Sequence, residues 1–166
     1  MEKSKTRLYF NEKIAPNLLL NVEEKRHHFL KNVIRVKVND RIRIFDGKTG
    51  EWNSIVLKID RKKIILKVTR KIRDYKKDLD LWILFAPIKQ NRMSIAIQKA
   101  TEIGVSKIIP CFTEYTNFKK INLKNLYQNA IEASEQSQRL DIPNIEKEVD
   151  LKSLLQNWPK DRKLIY

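Results

Sequence analysis

Residues 79–112 read LDLWILFAPIKQNRMSIAIQKATEIGVSKIIPCF, and this stretch decides the fold class. Residues 79–86 form an almost continuous apolar run, the pattern expected of a strand buried on both faces. Residues 91–103 then change to helical spacing, with Met93, Ala96, Ile97 and Ala100 on one stripe. Gly104 stands where a helix C-cap is wanted, and residues 108–112 give a second apolar strand. Further on, Asn122 is placed to cap a helix running to about residue 139. Its inner positions are Leu123, Leu126, Tyr127, Ala130 and Ile131. The order β-α-β-α predicts a parallel sheet with crossover helices. Residues 163–166 read as the opening of a third strand, so this α/β segment looks unfinished.

Upstream the apolar period falls to 2. Residues 8–10 are a short strand, and residues 41–45 alternate before the turn signal Asp46-Gly47. Residues 51–59 and 63–72 follow as strands, the latter with Ile64, Leu66 and Val68 on one face. Residues 22–36 have helical spacing through Val22, Arg26, Phe29, Leu30, Val33 and Ile34. Several short strands and one helix predict a small barrel, an arrangement that buries its own edges. The polar connector KIRDYKKD at residues 71–78 divides this part from the α/β segment. The expected domains are residues 1–73 and 78–166.

Charge follows the same division. The chain carries 35 Lys+Arg against 20 Asp+Glu, a net of +15. Residues 1–77 hold 22 against 9, a net of +13, and residues 78–166 hold 13 against 11, a net of +2. Such an excess points to a polyanion, with nucleic acid as the leading candidate and a Lys-rich solvated surface as the plain alternative. The arithmetic therefore assigns the polyanion affinity to the first half.

Several classes are excluded. The longest apolar run is too short to cross a bilayer, and no apolar signal segment opens the chain, which reads as cytoplasmic. One cysteine, Cys111, rules out an internal disulfide and a Cys-rich metal site; its apolar surroundings suit an inert buried thiol. Three glycines, Gly47, Gly50 and Gly104, cannot build a dinucleotide-binding turn or a Walker loop. His27 and His28 are the only histidines and are adjacent, so no metal is expected. One of the pair is open to phosphate or base contact; the alternative has one packed and the other solvated.

Two polar constellations remain. Lys99 and Glu102, three apart, share a helical face, which suits either a functional pair or a surface ion pair. Glu135 and Arg139 lie four apart at the end of the second helix, with Gln136 between them.

These stretches resemble a known family. QKATEIGVSKIIP at residues 98–110 and AIEASEQSQRLDIPNI at 130–145 are similar to segments of the RsmE family of 16S ribosomal RNA (uridine-N3) methyltransferases. HHFLKNVIRVKVNDRIRIFDG at 27–47 and RLYF at 7–10 match its N-terminal pattern, and the resemblance runs through the whole chain in order. It implies an N-terminal PUA-like β-barrel and an α/β SPOUT domain tied in a trefoil knot. It further implies a homodimer acting on 16S rRNA or the small ribosomal subunit, with S-adenosyl-L-methionine as cofactor. By carry-over, Glu135 and Arg139 are the expected catalytic residues, the carboxylate taking the uridine N3 proton and the guanidinium steadying the anion. Arg7, His28, Arg35, Lys89, Arg92, Lys99, Glu102 and Gln136 are the expected RNA-binding positions.

The chain also departs from the family. Tyr115 stands where Arg is usual, and Asn39 replaces the Gly of a turn. The family's "GPEGG" loop and "ILR.ETA" segment, which supply the knot and most of the cofactor pocket, have no counterpart. The expectation is a truncated SPOUT domain whose cofactor residues fall after Tyr166. The alternative is a catalytically inactive remnant that retains only rRNA binding.

Overall fold

The computed structural model describes residues 4–77, 79–117 and 121–166. The chain divides into two compact units, Met1–Lys77 with Ser134–Asp141, and Asp78–Ala133 with Ile142–Tyr166. Asp78, where the second domain is expected to begin, lies outside the described residues. That Ser134–Asp141 belongs to the first unit has no sign in the linear pattern of charge and hydropathy.

The first unit is a curled sheet of five strands: β1 (Arg7–Tyr9), β2 (Leu19–Glu23), β3 (Arg41–Phe45), β4 (Glu51–Ile59) and β5 (Lys63–Arg73). Their order is β1-β3-β4-β5-β2, with β1 parallel to β3 and the remaining pairs antiparallel. Alternation selects the inward face: Ile42 and Ile44, Trp52 and Val56, then Ile64, Leu66 and Val68 are buried. With Leu8, Leu20, Val22 and Leu30 they make one core. A register slip would turn all of these outward, so burial itself fixes the pairing.

The expected helix over 22–36 is shorter than its spacing suggests. Leu19–Glu23 is a strand, and Val22 pairs with Ile64 in the core. The backbone breaks at Glu24 (φ 51°), after which α1 (Glu24–His28) runs into a π-helical turn over Phe29–Val33. Val22 satisfies period 2 with Leu20 as well as helical spacing with Arg26, and tertiary pairing decides between them. Asn39, in place of the family's turn glycine, has φ 72°, a left-handed conformation that asparagine tolerates. The barrel also differs from expectation: among the described residues no ladder joins β1 to β2, so its closure leaves an edge.

Asp46 fixes the β3–β4 turn. Its carboxylate accepts from the N–H groups of Ile14, Lys48 and Thr49 and from the Thr49 hydroxyl. Burial pushes the carboxyl pKa up, but the bonds from Ile14 and Thr49 and then Lys48 outweigh it, holding the group below its ordinary value. Asp46→Asn leaves one oxygen for these four donors and turns an NH2 toward N–H groups. It should cost about 1–3 kcal/mol of stability, read from urea unfolding. Because the folded-state pKa is depressed, this stabilisation is present above the unfolded value of 3.8 and is lost as pH falls through the folded value.

The second unit is built on β6 (Trp82–Phe85) and β7 (Lys107–Phe112), parallel and in register from Trp82↔Lys107, with α2 (Gln90–Glu102) as crossover. Met93, Ile97 and Ala100 of α2 pack with Val105, Ile108, Leu126 and Ala130, as the helical stripe predicts. Gly104, at φ 88°, ends α2. Asn122 caps α3 (Leu123–Ser137), its Oδ1 accepting from Asn125 N–H at 3.1 Å. Ala96 is only half-buried and Tyr127 is exposed, so each inner stripe is narrower than its spacing suggests.

Two strand expectations need correction. Leu79 is 83% exposed, Leu81 is also exposed, and β6 is half-buried throughout. Apolar continuity was here no sign of two covered faces: β6 is an edge strand among the described residues, and each of its residues stays partly exposed. Residues 163–166 form no strand. The far side of β7 is taken instead by β8 (Asn144–Ile145) and β9 (Val149–Asp150), both parallel to it. Cys111, buried in β7, has its thiol pushed up to about 11 by desolvation and by Asp150, so it stays protonated near neutrality.

Candidate functional site

β1 pairs with β3 on one side only, and Ser134–Asp141 of the same unit answers its open edge. The Tyr9 N–H donates to Glu135 Oε1 at 2.8 Å, and Arg26 Nη2 donates to the Tyr9 carbonyl at 2.6 Å. Arg26 and Glu135 lie 3.6 Å apart, so an ion pair seals both exposed groups of one edge residue. Arg7, one pleat away, is buried. Its Nε meets Glu51 Oε1 at 2.5 Å, Nη1 donates to the carbonyls of Ser134 and Glu135, and Nη2 donates to that of Arg139. Desolvation lowers the Arg7 pKa from its ordinary value, opposed by Glu51. A guanidinium's planar fork suits these carbonyls, of which those of Ser134 and Glu135 belong to the last turn of α3, left without intrahelical partners.

The carried-over site residues therefore separate. Arg7, expected on RNA, is spent inside the protein. Arg139, expected to be catalytic, has a side chain 5% exposed, with Nε on Asp141 Oδ1 at 2.5 Å. α3 ends at Ser137, and Gln138 at φ 62° turns the chain, so Glu135 and Arg139 do not share a helical face. Glu135 holds the β1 edge. Lys99 and Glu102 form an exposed ion pair at 2.7 Å with Gln98 on the other carboxylate oxygen, the plain alternative for that pair. His28, Arg35, Lys89, Arg92 and Gln136 are exposed. Neighbouring His27 has Nε2 3.1 Å from the Asp60 carbonyl, so one histidine packs and the other is solvated. Tyr115 is 88% exposed.

Each unit carries a depression among its described residues. In the second, a cavity of about 940 Å3 opens past the carboxyl end of β6, lined by Pro87, Lys89, Met93, Leu126, Lys147 and Glu148 among others. Ligands of parallel α/β sheets bind at such strand ends. In the first, a cleft of about 270 Å3 is lined by Arg41, Arg43, Arg70 and Arg73 together with Ser4, Glu51, Asn53, Ile72 and Gln138. Sequence reasoning missed this cluster. The strand period places Arg41 and Arg43 on one face, but residues 70 and 73 fall on opposite faces of a regular strand. No signal in one sequence reports the irregularities that bring them together.

Comparison with known proteins fits this architecture. Residues 75–166 match the RNA methyltransferase domain, and residues 22–69 match the RNA methyltransferase PUA domain. The chain is 34% identical over 150 residues to ribosomal RNA small subunit methyltransferase E of Rickettsia conorii, covering 90% of this chain and 62% of that protein. Its counterpart in Buchnera aphidicola of Schizaphis graminum is 30% identical over 155 residues, at 87% and 62% coverage. The chain thus spans about 62% of the length of these curated relatives.

Among solved structures, methyltransferase E of Neisseria gonorrhoeae bound to S-adenosylmethionine superposes at a TM-score of 0.80, with 21% identity. The alignment covers 93% of this chain and 66% of that one. A Legionella pneumophila protein described as a methyltransferase, with S-adenosylmethionine bound, gives 0.86 at 22% identity, covering 98% and 70%. These likenesses give a PUA-like domain followed by a SPOUT methyltransferase fold. The charge of the cavity beyond β6 does not fit that cofactor. Two lysines, Lys89 and Lys147, line it with a single carboxylate, Glu148, and the cofactor, with a sulfonium, an ammonium and one carboxylate, is itself a net cation. The match over residues 75–166, more than half of the sequence, places the chain in the RNA methyltransferase domain family.

Proposed function

We propose that this chain serves S-adenosylmethionine-dependent methylation of uridine N3 in the 16S rRNA of the small ribosomal subunit, with the first unit holding the RNA. The family match carries the reading, and the net of +13 over residues 1–77 supports the division of labour. Phosphate contacts set the register of a bound RNA without reading its sequence. His28, Arg35, Lys89, Arg92 and Gln136 are the carried-over positions whose exposure suits such contacts. Glu135 serves in this reading as a positioning residue, through Tyr9 and Arg26, and Arg139 through Asp141. The homodimer and the cytoplasmic setting rest on the family resemblance.

A second reading is favoured by the cavity's charge: the chain holds rRNA and, by itself, transfers no methyl group. Unmodified small subunits, incubated with the chain and S-adenosylmethionine, separate the two by mass spectrometry of their nucleosides. N3-methyluridine upholds the first reading. Bound subunits without it uphold the second, and neither binding nor methylation contradicts both.

A further inference from the structure

We infer that the cleft lined by Arg41, Arg43, Arg70 and Arg73 is a phosphodiester clamp, the place where the first unit grips an RNA backbone. The inference rests on the RNA-holding role proposed above and gives it a location that the carried-over residues do not.

The cleft is built by strand irregularity. Arg41 and Arg43 point away from the core because Ile42 and Ile44 point into it, and Asn53 sits beside Arg43 as its cross-strand partner. Of the three register shifts between β4 and β5, two fall at this end, between Glu51/Trp52 and between Trp52/Ser54. Glu51 pairs with Arg73, Trp52 with Lys71, and Ser54 with Val68, so β5 carries an extra residue in each interval. Lys71 is thereby turned to the side of Trp52, its Nζ 5.2 Å from the ring. Arg70 and Arg73, three apart, both reach the cleft. β-Bulges re-aim side chains in this way and concentrate near functional sites.

Its charge is unbalanced. Four arginines and one carboxylate line it, and that carboxylate, Glu51, is already bound by Arg7 at 2.5 Å and approached by Arg73 at 3.5 Å. Arg73 also donates to the Gln138 carbonyl, which fixes its orientation. The guanidiniums of Arg43 and Arg70 have no hydrogen-bond or ion-pair partner among the described residues. Converging donors without an acceptor fit a bidentate phosphate oxygen pair. Asn53 adds a neutral donor. An open cleft of about 270 Å3 admits one phosphate with its flanking riboses and no folded ligand.

The test measures affinity for a short, unstructured, fluorescently labelled 16S rRNA fragment against salt. The full chain is compared with Arg43→Gln/Arg70→Gln and with Arg61→Gln/Lys62→Gln. The control removes equal charge at the β4–β5 turn, the opposite end of that hairpin from Glu51 and Arg73. The cleft variant should bind about tenfold more weakly at about 0.15 M salt. The slope of log K against log salt should flatten by about 1.4 for two lost contacts to a single strand, with the control within twofold of wild type. Equal losses in the two variants overturn the clamp while leaving RNA binding intact. No salt-sensitive binding by the wild-type chain overturns the RNA-holding role itself. If the double variant melts early, Arg70→Gln alone, at an exposed position, decides by a slope change of about 0.7 or none.

Discussion

Arg7→Ala is expected to destabilise the first unit by about 3–5 kcal/mol, because it removes one member of a buried ion pair and strands the other. The side chains of Arg7 and Glu51 are 7% and 4% exposed. Without Arg7, Glu51 keeps among the described residues only Arg73, a half-exposed partner at 3.5 Å. The carbonyls of Ser134, Glu135 and Arg139 lose their donors together. Two of those carbonyls, of Ser134 and Glu135, lie in the last turn of α3, where a cation also complements the helix dipole. Arg7→Lys should recover little, since one ammonium cannot span Glu51 and three carbonyls. Urea unfolding measures both. A loss below about 1 kcal/mol for Arg7→Ala would show that Ser134–Asp141 is held by other contacts.

Gly50→Ala should produce the second large effect. Gly50 precedes β4 at φ 110°, and a Cβ there would overlap the Arg73 carbonyl oxygen and stand 3.0 Å from the Tyr75 nitrogen. Both are backbone atoms, so relief requires the β4–β5 ladder itself to move. The cost should reach about 3 kcal/mol, combining steric overlap with a disfavoured backbone conformation. Gly47 is the internal control. At φ 76°, with nothing nearer than 3.7 Å to an added Cβ, Gly47→Ala should cost only about 1–2 kcal/mol. Similar losses at the two positions, in the same urea assay, would mean that crowding at Gly50 is relieved cheaply.

How far the sequence speaks for this fold depends on the range of the interactions involved. Strands β3 to β5 and helices α2 and α3 were legible, because one buried face writes a period of 2 or 3.6 into consecutive residues. β2 was hidden, since Val22 fits either period and only pairing with Ile64 settles it. The apolar run ahead of β7 gave a strand correctly and its burial wrongly, because coverage depends on neighbours that a local window does not contain. The site was less legible still. Resemblance singles out Arg7, Glu135 and Arg139, but not the hydrogen bonds by which they join a sheet edge to a segment more than 120 residues distant in sequence. The four arginines of the cleft share no local motif. Two of them converge only through bulges, which leave no mark in composition.

The most direct test of the central claim is the salt dependence of binding between the wild-type chain and 16S rRNA. A grip by four or more cationic contacts predicts that log K falls linearly with log salt, with a slope of about −3 or steeper. A slope near zero, or no binding even at low salt, would contradict the assignment of RNA holding to the basic first unit.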